Sequence, residues 1–66
     1  MNVWLKEARI NEGLSIAEAA RAMGVARHTL RKVEEEGYMP EPATAKRIAD
    51  FFERRVTDIW PVERAA

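Results

Sequence analysis

Residues 16–35 read IAEAARAMGVARHTLRKVEE, and this stretch decides the fold. Ser15 stands just before it, with Glu18 three residues on, the spacing at which a serine and a glutamate cap a helix reciprocally. Ala17 to Met23 are strong helix formers. Gly24 then ends the segment, where a left-handed backbone is easiest for glycine. A further helix is expected from about Ala26 to Glu35, with Leu30 and Val33 on one face and Gly37 as its stop. Ala20 is the small residue that two steeply crossing helices need where their backbones approach. Ala19, Met23, Val25, Leu30 and Val33 fall at the spacings of a shared core.

Two helices joined by a turn of about three or four residues containing glycine form a helix-turn-helix arrangement. Outward from it, three more helices are legible. The first runs from about Asn2 to Glu12, with Val3, Trp4, Leu5, Ala8 and Ile10 as a broad apolar stripe and Gly13 behind it. After the loop Gly37-Tyr38-Met39-Pro40-Glu41-Pro42, a helix from Pro42 or Ala43 to Arg54 carries the stripe Ala45, Ile48, Ala49 and Phe52. A short last helix has Thr57 as its expected cap before Asp58-Ile59-Trp60; Pro61 closes it and opens a tail to Ala66. No strand alternation, internal repeat or long linker interrupts this. The expectation is an all-α, compact five-helix bundle, one domain over residues 1–66.

Composition removes several classes of function. With no cysteine and one histidine, His28, neither a disulfide frame nor a Cys-based or multi-His metal site is available. No apolar run is long enough to span a membrane. The N-terminus lacks the basic-then-apolar pattern of a secretory signal, so the cytosol is the default location. One serine, one histidine and no glycine-rich phosphate loop make an enzyme a poor reading, and no cofactor is implied. A chain of 66 residues has a thin core and leaves no room for a second, ligand-binding domain.

Eleven basic and eleven acidic side chains cancel to a net charge of zero, so the location of the charges matters more than their sum. No acidic residue lies between Ala19 and Val33. The outward positions of the second helix of the motif are Arg27, His28, Arg31 and Lys32, with Thr29 beside them. A solvated basic face is the plain alternative. On the exposed helix of such a motif, however, these side chains suit the DNA major groove, Arg27 toward guanine O6 and N7, Lys32 or His28 toward neighbouring acceptors. Arg21 is placed to touch a phosphate from the preceding helix.

The chain also resembles the Cro/C1-type (XRE-like) helix-turn-helix domain of phage and bacterial repressors, whose fold is lambda-repressor-like. The resemblance rests on LKEAR at 5–9, LSIAEAARAMGVARHTLRKVEE at 14–35, the proline loop, and TAKRIADFFERRVTDIW at 44–60, in that order. It implies that the third helix is the recognition helix. It further implies that Arg27, His28 and Lys32 read bases, and that Arg31 and Thr29 reach bases or phosphates. Ser15 would donate to a phosphate, and Arg9 and Glu34 would form a structural ion pair between the first and third helices.

Departures from the family pattern matter as well. Ile16 stands where the family often has a glutamine that braces the DNA backbone. Glu36 stands where it often has glycine, and the following loop is not basic, which leaves Tyr38 and backbone N–H groups for phosphate contact there. Trp4, Phe51, Phe52, Ile59 and Trp60 read as core or core rim, with Phe51 or Trp60 as an alternative dimer surface; Arg54, Arg55 and Arg64 read as solvated.

The implied function is a sequence-specific double-stranded-DNA-binding transcriptional regulator, a phage Cro-like or immunity-type repressor acting by operator occlusion. Its implied partner is operator DNA, bound as a weak homodimer formed on two half-sites about 34 Å apart, without membrane or small-molecule ligand. Two rivals are an excisionase- or MerR-like architectural protein, which needs a β-hairpin wing after the recognition helix, and an antitoxin-type interaction module with a tight protein partner.

Overall fold

The computed structural model describes residues 3–60. Asn2, Arg64 and the tail from Pro61 lie outside the described residues. The described chain forms five helices and no strand: α1 (Val3–Asn11), α2 (Ile16–Met23), α3 (Arg27–Glu36), α4 (Pro42–Phe51) and α5 (Val56–Ile59). None is long and apolar enough to cross a membrane. Residues 42–51 are helix where a winged architecture requires a hairpin, so the fold departs from the MerR-like alternative.

The core is small and contiguous. Leu5, Ala19, Leu30, Val33 and Ile48 are fully buried, and Ala20, Met23, Ala49 and Ile59 complete the cluster. Val25, Phe51, Phe52, Val56 and Trp60 pack against it while partly exposed. A residue such as Leu30 has no exposed surface, and truncating it to alanine is expected to cost about 2–5 kcal/mol. In a domain this small that is a large part of the whole stability.

Local chemistry fixes the ends of α2. The Ser15 hydroxyl accepts from the Glu18 N–H at 3.1 Å, and the Ser15 N–H donates to Glu18 Oε1 at 2.9 Å. At the other end Gly24 is left-handed, with φ 75°. The N–H groups of Gly24 and Val25 both reach the Ala20 carbonyl, at 2.9 and 3.0 Å. The chain turns there and enters α3 with Ala20, 3% exposed, beneath the crossing.

Several boundaries and placements differ from the sequence expectations. α3 spans 27–36 rather than 26–35, because Ala26 is extended (φ −70°, ψ 141°) and Gly37 supplies the left-handed stop. α4 ends at Phe51, not Arg54; the reversal is made by Glu53 at φ 55°, a non-glycine residue that gives no sequence signal. α5 is capped from Arg55 rather than Thr57, since the Asp58 carboxylate returns to the Arg55 N–H at 3.1 Å.

The α1 stripe is also narrower than its composition suggests. Val3, Trp4 and Ile10 are 51%, 41% and 54% exposed, whereas Leu5 and Arg9 face inward. Leu5 and Arg9 are four residues apart and so share a face, and Ile10 lies well round the helix from it. Trp4 instead meets the edge of Phe52, with ring centroids 5.6 Å apart. Arg54 is exposed as expected, with its guanidinium 5.8 Å from the Trp4 ring centre.

Candidate nucleic-acid interface

α3 packs inward through Leu30, Val33 and Glu34 and turns Arg27, His28, Arg31 and Lys32 to solvent. These four occupy two successive turns as the pairs 27/31 and 28/32, which stack along the exposed face. Thr29 is half-buried at the border between that face and the core, its backbone N–H bonded to the Ala26 carbonyl at 3.1 Å.

The electrostatic arrangement of α3 opposes its own stability. The N-terminal end of a helix favours anions and the C-terminal end cations. α3 has basic residues at its start, no acidic residue in its first turn, and Glu34-Glu35-Glu36 with no basic residue in its last. No side chain caps its N-terminus at Ala26. Arg27 and Arg31 are like charges at i,i+4, which also disfavours the helix. Arg31 and Lys32 each have an acid four residues on, Glu35 and Glu36, which offsets part of this, so the dipole opposes chiefly Arg27 and the glutamates at the end, and packing supplies the rest of the hold on α3.

Two neighbours fix that packing. Arg9 donates from Nε and Nη2 to the Glu34 carboxylate at 2.8 and 3.0 Å, and from Nη1 to the Leu14 carbonyl at 2.7 Å. Both members are buried, so one side chain ties α1, the α1–α2 turn and α3 together. On the opposite flank Arg47 of α4 donates to the Gly24 carbonyl at 2.9 Å. Arg47 bridges 23 positions in sequence and has no local motif to announce it.

Around the cationic face, the other residues singled out from sequence occupy distinct places. Arg21 is exposed on α2, and together with Arg27 it lines an open notch of about 320 Å³ floored by Ala17, Ala20 and Val25. Ser15 is exposed at the start of α2. Its oxygen accepts from the Glu18 N–H, and its one proton can turn either to the Glu18 carboxylate or to an external acceptor. Glu18 is held below the ordinary glutamate range, chiefly by the hydrogen bond from the Ser15 backbone, then by the Ser15 side chain. Tyr38 is 40% exposed beyond Gly37, and its ring centre lies 4.4 Å from Lys32 Nζ.

Two helices locked through a tight glycine turn, the second with a cationic outer face, define a helix-turn-helix nucleic-acid-binding domain. A family model described as helix-turn-helix matches residues 5–59, most of the chain. The protein belongs to this family, in its XRE (Cro/C1-type) branch. It is accordingly a sequence-specific regulator of the kind that binds double-stranded DNA. A search of curated proteins gives no match to the chain.

Proposed function

We propose that the protein is a transcriptional repressor of the phage Cro-like or immunity type, acting in the cytosol by occupying operator DNA and excluding polymerase. The observation that carries this reading is the outer face of α3, where Arg27, His28, Arg31 and Lys32 stand exposed together, Arg27 at a helix end that disfavours a cation. Charges placed at a cost to the fold point to an anionic partner, and the α3 position in the family fold points to the major groove.

In this reading Arg27 makes the bidentate contact to a guanine, and His28, Arg31 and Lys32 address the adjoining base edges. Ser15, Arg21, Thr29 and the Tyr38 hydroxyl hold phosphates and set the register. Arg9 and Glu34 hold α3 on the body. In this reading residues 1–66 make one domain, and its role is non-catalytic. It binds as a homodimer that is weak in solution and forms on two half-sites about 34 Å apart.

Selection of bound sequences from random duplex DNA is the test. The expected product is a short pseudo-palindromic site with half-sites one helical turn apart. Recovery of unrelated sequences, or binding only in the presence of a second protein, would reject the reading. The second outcome would favour an antitoxin-type module.

A further inference from the structure

We propose that Tyr38 is a specificity-determining positioning residue that acts through Lys32. The inference rests on the DNA-reading role of α3 proposed above. Lys32 and Tyr38 are joined twice. Gly37, left-handed at φ 69°, turns the chain back at the end of α3, so that the Tyr38 N–H reaches the Lys32 carbonyl at 3.3 Å. The same reversal brings the phenol ring under the Lys32 ammonium, 4.4 Å from Nζ to the ring centre. That lies well within the range of cation–π attraction.

The consequence is specific to lysine. Its four-carbon stem is flexible and loses much of its rotamer freedom when fixed. A lysine already seated on a ring loses less of that freedom when it meets DNA. An ammonium with one face on a ring still directs N–H donors away from it, toward an oxygen or N7 acceptor. The loop after α3, Gly37-Tyr38-Met39-Pro40, holds no basic side chain. Here the loop supplies a ring in place of further charge, which holds a lysine already present on α3.

The experiment compares Tyr38→Phe and Tyr38→Leu in the full chain, each with Lys32 intact and with Lys32→Ala, on the selected DNA site and its single-base variants. Tyr38→Phe keeps the ring and removes the hydroxyl, so any loss it causes belongs to the phosphate contact. The further step to Tyr38→Leu should weaken binding about two- to five-fold. It should also relax preference at the same base pair as Lys32→Ala, and both effects should vanish once Lys32 is absent. In the DNA-free protein, the Lys32 side-chain methylene protons should show upfield ring-current shifts that persist in Tyr38→Phe and disappear in Tyr38→Leu. A ring effect that persists without Lys32, or unshifted Lys32 protons in the native chain, would overturn the proposal while the DNA-reading role stands. Failure of the native chain to select any duplex sequence overturns both.

Discussion

Arg9 and Glu34 are 25 residues apart and meet in a buried, two-pronged contact at 2.8 and 3.0 Å, the one side-chain ion pair among the described residues in which both members are enclosed. Removing one partner strands the other charge away from water. Arg9→Ala is therefore expected to destabilise the fold by about 3–5 kcal/mol. It also frees the Leu14 carbonyl. Replacing both together, Arg9→Met with Glu34→Leu, should recover most of that loss, because the desolvation cost of the charges disappears with them. Urea unfolding of the single and double variants checks this. Equal damage from both would show that packing rather than charge is responsible.

Arg27 and Arg21 line one notch but are expected to behave differently. Arg27→Ala should cost about 1–3 kcal/mol of binding and relax preference at a single base position. Arg21→Ala should weaken all sequences alike and reduce the slope of log affinity against log salt by about one. Titrations at several salt concentrations, on the best site and on a scrambled one, separate the two.

Ser15 carries a structural and a proposed binding role that one substitution can divide. Aspartate caps a helix about as well as serine but has no proton to donate and adds a negative charge. Ser15→Asp should leave thermal stability within about 0.5 kcal/mol. DNA affinity should fall by about tenfold or more, since the added charge would face the phosphate proposed for Ser15. If affinity is retained, Ser15 has no phosphate partner.

Acid sensitivity follows from the helix caps. Glu18 and Asp58 are both held below their ordinary values, in each case chiefly by a hydrogen bond from the cap residue's backbone, Ser15 and Arg55 respectively. A carboxylate lowered in the folded state contributes stability that is complete above its unfolded value and is lost as pH falls through the folded one. The start of α2 and of α5 should therefore weaken only below about pH 4. Unfolding midpoints measured down the acid range should decline less steeply in the combined Glu18→Gln and Asp58→Asn variant than in the native chain.

The parts of the fold that were legible in sequence are those set by neighbours along the chain. Ser15, Glu18 and Gly24 state where α2 begins and ends in a signal ten residues long, and the exposed set on α3 follows from helical period around Leu30 and Val33. The features that escaped are long-range or lack a distinctive residue. Arg9 occupies an inward position that hydrophobic periodicity assigns to an apolar side chain; its pairing with Glu34 is legible only through the family resemblance, and Ile10 of the expected stripe faces out. Glu53 turns the chain with a backbone conformation usually left to glycine, which hid the end of α4. Asp58 rather than Thr57 sets the start of α5, because a carboxylate at the third helical position reaches back to the preceding N–H. The Arg47–Gly24 contact depends on how separate segments meet, and the Lys32–Tyr38 contact on a ring placed just past the Gly37 reversal, which no motif announces.

The charge order of α3 has a consequence for how small a reader could be cut from this protein. A ten-residue segment is too short to hold helical form alone in water, and this one would also be repelled by its own termini. A synthetic peptide of residues 27–36 should be unstructured and indifferent to operator sequence. Under the proposed reading, the segment's side chains meet DNA in order only while the other four helices keep it folded, so grafting them onto another support requires carrying their scaffold as well.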